Sequence, residues 1–199
     1  MNASLITLEV LVLVLGVVLL LADFWVPAGR KKFLAYLAIA ALGGLLLAGF
    51  SPGSFCNTFG TAFHGAFVED ALALFFKRFF LVATILVLFV TAEFSEKISA
   101  GISEFYSLII FALVGMLFAA SANDFAMLFV SVETITVTFY VLVSSQRARL
   151  AALEAGVKYL IIGALSSAFM VFGIALVWGT TGTINFTRLA AVTPQFLHN

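Results

Sequence analysis

Two apolar runs in the second half of the chain carry groups that do not belong in hydrocarbon. Asp124–Val143 is apolar apart from hydroxyls and one carboxylate, Glu133. Ala152–Trp178 is apolar apart from Glu154 and Lys158 near its start and the pair Ser166-Ser167 further in. An ionisable group at the bilayer centre costs on the order of 3 kcal/mol even on the lenient insertion scale. Two such groups cost about 6 kcal/mol, against total stabilities of about 5–15 kcal/mol. The chemistry they offer is proton transfer. Burial disfavours the charged form of a carboxylic acid and of an amine alike, so the two positions of the proton approach each other in energy.

Helix geometry sets the expected depths. Glu133 lies nine residues after Asp124 and eleven before Ser144, so near mid-membrane, about 16 Å from the far end. Lys158 is six residues into its run, about 9 Å deep. The short connection makes the two helices antiparallel neighbours with axes about 8–10 Å apart. The expectation is that Glu133 and Lys158 touch or share one water. Two readings stay open: a proton relay, with Ser166 and Ser167 holding relay waters, or an ion pair that locks two helices. Glu154 sits four residues before Lys158, in the favourable order for a pair within the helix. Thr134, Thr136 and Thr138 are expected to bond their own helix carbonyls.

The elements that must position these groups follow from composition. Of 199 residues, 63% are hydrophobic and 10% charged, where a soluble domain has roughly 25% charged. The chain is expected to be an all-α integral membrane protein, because its apolar runs are long enough to cross a hydrocarbon core of ~30 Å as helices. Net charge is zero, which leaves no electrostatic footprint for nucleic acid. One cysteine, Cys56, excludes an internal disulfide and a cysteine-based metal site. His64 and His198 lack the spacing of a metal motif. No glycine-rich phosphate loop or cofactor motif occurs, and the 23 phenylalanines read as packing and lipid-facing residues.

Six spans are expected: Ala3–Trp25, Phe33–Phe50, Asp70–Ala92, Glu104–Ala120, Asp124–Val143 and Ala152–Trp178. The first is too long for a signal peptide and has no basic stretch before it. Gly43-Gly44 in the second would allow close helix contact. Ser51–Glu69 reads as a loop. Lys77 and Arg78 in the third are expected to lie at the interface and snorkel. Ser103 is the expected N-cap of the fourth span and Asn123 that of the fifth. A glycine in Gly179–Thr183 closes the sixth. These spans group into residues 1–103 with three helices, 104–183 with three more, and a polar tail, 184–199. Arg30, Lys31, Lys32, Lys97, Arg147 and Arg149 fall after the first, third and fifth helices, which makes those loops cytoplasmic and places the N-terminus outside.

The run Val130-Ser131-Val132-Glu133-Thr134-Ile135 leading to Tyr140-Val141-Leu142 resembles the antiporter-like membrane subunits of respiratory complex I, the proton-translocating NADH-quinone oxidoreductase. So does Glu154-Ala155-Gly156-Val157-Lys158-Tyr159-Leu160 with its continuation Gly163–Phe169, Phe172-Gly173 and Gly179–Thr183. The resemblance implies a fourteen-helix fold of two inverted five-helix repeats, of which this chain would be an N-terminal fragment. It matches the family's fifth-helix glutamate to Glu133 and its sixth-helix lysine to Lys158. It implies that the polar groups of helices five and six face helices seven and eight of the full fold. It further implies a place in a bacterial inner membrane, other membrane subunits as partners, and a parent enzyme that uses NADH, FMN, iron–sulfur clusters and quinone, none of them held by this chain. The alternatives are a subunit of a multi-subunit sodium/proton antiporter, or a membrane scaffold without an ion path.

Overall fold

The computed structural model describes residues 3–22, 24–26, 31–51, 59–94, 101–146 and 149–197. Asp23, Pro27, Arg30, Pro52, Cys56, Glu96, Lys97, Arg147 and His198 lie outside them. The chain forms α1 (Thr7–Ala22, after a short 3-10 turn, Ala3–Ile6), α2 (Lys31–Ala48), a hairpin of β1 (Gly60–Ala62) and β2 (Phe67–Glu69), α3 (Ala71–Glu93), α4 (Ile102–Ala120), α5 (Phe125–Val143), α6 (Leu150–Thr181) and α7 (Phe186–Leu197). Five helices are long and apolar enough to cross a membrane: α1 with its leading turn, α3, α4, α5 and α6. The sixth expected span, α2, is apolar but shorter; its 18 residues reach about 27 Å.

The core lies among α1, α2, α3 and α4. Val12, Leu42, Leu88, Ile110, Leu113 and Leu117 are fully buried there. The α4 helix is central and packs on α1, α3 and α5, while α6 packs chiefly on α5. Close approach of α4 and α5 occurs at Gly115. A Cβ built there meets Ile135 Cγ1 at 2.7 Å and the Ser131 carbonyl at 2.9 Å. Gly43 and Gly44, by contrast, have nothing within 4 Å among the described residues, so the close contact that they allow is not used there.

The capping residues shift by one or two positions from the sequence reading. Asp70 and Asp124 cap α3 and α5, each carboxylate accepting from the backbone N–H three residues on, Ala73 at 2.7 Å and Met127 at 2.6 Å. Asn123 instead donates to the Gly65 carbonyl at 2.7 Å. Gly101, at φ 71°, precedes α4, so Ser103 lies inside the first turn and is buried. Gly182 closes α6 at φ 68°, its N–H donating to the Trp178 carbonyl at 2.8 Å.

Residues 60–69 of the loop before α3 form a hairpin. Gly60 pairs with Glu69, Thr61 with Val68 and Ala62 with Phe67 in an antiparallel hairpin. Phe67 is fully buried beneath it. The Val68 N–H donates to the Ser121 carbonyl, and Asn123 N–H to the Ala66 carbonyl. The Gly65 carbonyl accepts from both Asn123 and Asn185 side chains. The hairpin, the α4–α5 turn and the α6–α7 turn are thereby clasped at one end of the bundle. The same Asn185 caps α7 by accepting from the Arg188 N–H, so the polar tail is a helix rather than irregular chain.

Gly115→Ala should destabilise the folded chain by about 1–3 kcal/mol, because a backbone carbonyl would have to move. Gly43→Ala should be neutral or slightly stabilising, since nothing is in the way and alanine has the better helix propensity. Thermal melts of the two variants in one detergent check the contrast.

Candidate functional site

The α5–α6 pair is set by small residues. A Cβ at Gly156 would lie 2.8 Å from Ser144 Cβ, and one at Gly163 would lie 1.8 Å from the Tyr140 hydroxyl. The Tyr140 ring also meets Tyr159 edge to face at 5.1 Å. Continuing this antiparallel register places Ser167 opposite Glu133. The Ser167 hydroxyl donates to Glu133 Oε1, and the Thr136 hydroxyl lies 3.5 Å from Glu133 Oε2. Thr134, Thr136 and Thr138 donate to the carbonyls of Val130, Glu133 and Thr134 respectively, as read from the sequence. Glu133, Thr134 and Thr138 border an otherwise apolar cavity of about 540 Å³ that reaches Leu13, Phe111 and Phe129.

Lys158 does not meet Glu133. It donates to Glu154 Oε1 one turn earlier, with the two side chains 69% and 66% exposed. The reason is angular. At ~100° per residue, Gly156, Gly163 and Ser167 share the face that touches α5, while Lys158, nine positions before Ser167, points about 180° away. The axial separation of Lys158 from Ser167, about 13 Å, is also larger than the expected offset. Ser166 shares the exposed side and donates to the Ile162 carbonyl. Of the four site residues read from the sequence, the fold brings Glu133 and Ser167 together and leaves Lys158 and Ser166 on another face.

A second charged group occupies the hairpin end of the bundle. Lys77 does not snorkel to the surface; it is 1% exposed, with Glu9 at 0% and Glu69 at 6%. Its Nζ lies 2.5 Å from Glu9 Oε1 and donates to Glu69 Oε2. Ser121 donates to the same Glu69 oxygen at 3.0 Å, and the Phe67 ring lies 4.9 Å from the ammonium. Arg78 turns the other way, to the Gly49 carbonyl at 2.7 Å and the Phe50 ring. Glu69 stands in β2, ahead of the apolar part of α3. Burial pushes its carboxyl above the ordinary value, outweighing the opposite pull of Lys77; Glu9 adds to the rise and Ser121 opposes it.

Residues 122–199 match the family described as NADH:quinone oxidoreductase/Mrp antiporter, TM. Over 98% of its length the chain is 34% identical to NADH-quinone oxidoreductase subunit N of Trichlorobacter lovleyi, covering 39% of that relative. Over 96% it is 39% identical to subunit N of Heliobacterium modesticaldum, covering 40% of it. The chain is thus similar to the antiporter-like membrane subunits of NADH-quinone oxidoreductase. A chain of respiratory complex I from Thermus thermophilus, solved with bound Aureothin, matches 90% of it at TM-score 0.67 and 29% identity, over 38% of the solved chain. The archaeal membrane-bound sulfane sulfur reductase matches at TM-score 0.70 and 22% identity, a likeness of fold. The chain spans well under half the length of the curated relatives it matches.

The Glu9–Lys77–Glu69 group escaped sequence reasoning, although a signal was present. An acid in the first span and a base in the third, both near the ends that enter from the same side, are natural partners in hydrocarbon. Lys77→Met should cost about 3–5 kcal/mol by leaving the buried acids Glu9 and Glu69 without their cation. Adding Glu9→Gln and Glu69→Gln should restore most of it, as melts of the single and triple variants will read. The raised Glu69 carboxyl means that the folded chain binds this proton more tightly than the unfolded chain. Its contribution to stability is therefore lost as pH rises from the ordinary carboxylate range through the folded pKa. Glu69→Gln should flatten that part of the melting-temperature profile.

Proposed function

We propose that the chain is part of a membrane subunit of NADH-quinone oxidoreductase and takes part in proton translocation coupled to electron transfer from NADH to quinone. The observation that carries the reading is the mid-helix carboxylate Glu133, held across α5–α6 by Ser167. A carboxylate at that depth serves as a proton carrier. Ser167 orients it, and Ser166, next in sequence, turns the hydroxyl row toward the outer face of α6. There Lys158, with Glu154, is the second protonatable group, and relay waters join the two. In the full-length protein that outer face packs on further helices of the antiporter-like fold, which removes the exposed pair from lipid.

Redox chemistry belongs to other subunits of the parent complex, which hold the NADH site, FMN, iron–sulfur clusters and quinone. The partners of this chain are the neighbouring membrane subunits and the bilayer. Its place is the bacterial inner membrane, with the N-terminus and the hairpin outside. The cations after α1, α3 and α5, Lys32 and Arg149 among them, face the cytoplasm.

Glu133→Ala in the full-length protein should reduce proton pumping in sealed vesicles with assembly retained, and Glu133→Asp should give a partial loss. Unchanged pumping overturns the relay. Lys158→Arg separates the two roles of the lysine, because arginine keeps its charge but does not release its proton. If Lys158 relays protons, arginine should be as poor as alanine. Near-wild-type pumping with arginine but not alanine assigns Lys158 to structure.

A further inference from the structure

The group at the hairpin end has a charge count that does not close. Two carboxylates, Glu9 and Glu69, face one ammonium, Lys77, and all three are buried. Fully ionised, the cluster carries one net negative charge in a buried setting, where an uncompensated ion is strongly disfavoured.

Among the described residues, the ion pairs of this group include no second cation. From α1 comes Glu9 alone, and from β2 Glu69. On α3, Arg78 is turned to Gly49 and Phe50, and Asp70 is occupied with the Ala73 N–H. From the α4–α5 turn come the Ser121 hydroxyl and Asp124, the latter engaged with the Met127 N–H. His64 is exposed in the hairpin turn.

A second observation concerns Glu9 by itself. Neither of its oxygens has a hydrogen-bond partner among the described residues; Oε1 has only its ionic contact with Lys77, and Oε2 has nothing. A fully buried carboxylate with a bare oxygen is an expensive arrangement for the ionised form. A proton on that oxygen removes the excess charge and leaves Lys77 paired with Glu69. Glu69, in turn, is bonded by both Lys77 and Ser121, and it stands in the hairpin next to the aqueous phase.

We propose that Glu9, Glu69 and Lys77 form a proton-binding site that carries one proton on its two carboxylates near neutral pH and exchanges it with the aqueous phase at the hairpin end of the bundle. The ligand is the proton itself. It arrives from water, neutralises one carboxylate, and leaves by the same side, with no other bond made or broken. Glu133 belongs to a different pair of helices, α5 and α6, so this site stands whether or not Glu133 relays protons. The raised proton affinity of Glu69 agrees with it.

The test is infrared titration of the full-length protein in its assembled complex, read at the carbonyl stretch of protonated carboxyl groups. Expected is one protonated carboxyl near neutral pH that is lost in Glu9→Gln and equally in Glu69→Gln. Each substitution leaves one carboxylate against one ammonium and no need of a proton. Glu133→Gln should leave this particular band in place, which separates the site from the relay. A wild-type spectrum at neutral pH without any protonated carboxyl overturns the proposal. So does a band that survives in either glutamate variant that assembles; the two variants are independent, so one suffices.

Discussion

A lysine side chain in the apolar interior must find negative charge, and this requirement organises the hairpin end of the bundle. Lys77 points inward from α3, and the carboxylates that meet it come from α1 and β2. Those contacts hold the start of α1 against α3 and fix the hairpin that carries Glu69. The hairpin in turn fixes the turns on either side of it. Ser121 bonds Glu69, Asn123 and Asn185 share the Gly65 carbonyl, and the backbone of Phe186 donates to Asn123. One buried charge therefore sits at the origin of a polar clasp that reaches from α1 to α7.

The opposite requirement governs α5 and α6. There the contact face is made of small residues, and shape rather than charge sets the register. Gly156 accepts Ser144 and Gly163 accepts Tyr140. With those two contacts made, Ser167 is the residue left facing Glu133. The ion pair that the spacing invites, Glu133 with Lys158, is excluded by rotation about the α6 axis, and Lys158 takes the local partner Glu154 instead. The partner of Glu133 across the helix pair is therefore a hydroxyl and not an ammonium.

By itself the sequence determined the class of the protein and most of its helices. Apolar runs of membrane length admit few alternatives, and the boundaries of α4, α5 and α6 fell within a few residues of those read from the sequence. Glu133 was conspicuous for the same reason, since a lone carboxylate inside an apolar run stands out against any background. Local hydrogen bonding was legible too: the threonines around Glu133 bond their own helix, because the nearest acceptors are always the carbonyls one turn back. Partners across helices were a different matter. They depend on the rotation of each helix about its axis, and a few tens of degrees exchange one neighbour for another. The stripe of Gly156, Gly163 and Ser167 carried that information in the sequence. Lys77 was read as snorkelling because its depth was judged from its own helix, without the Glu9 and Glu69 that the fold brings from elsewhere in the chain. Only the tertiary structure decided which charges met, because burial of an ion is a property of everything packed around it.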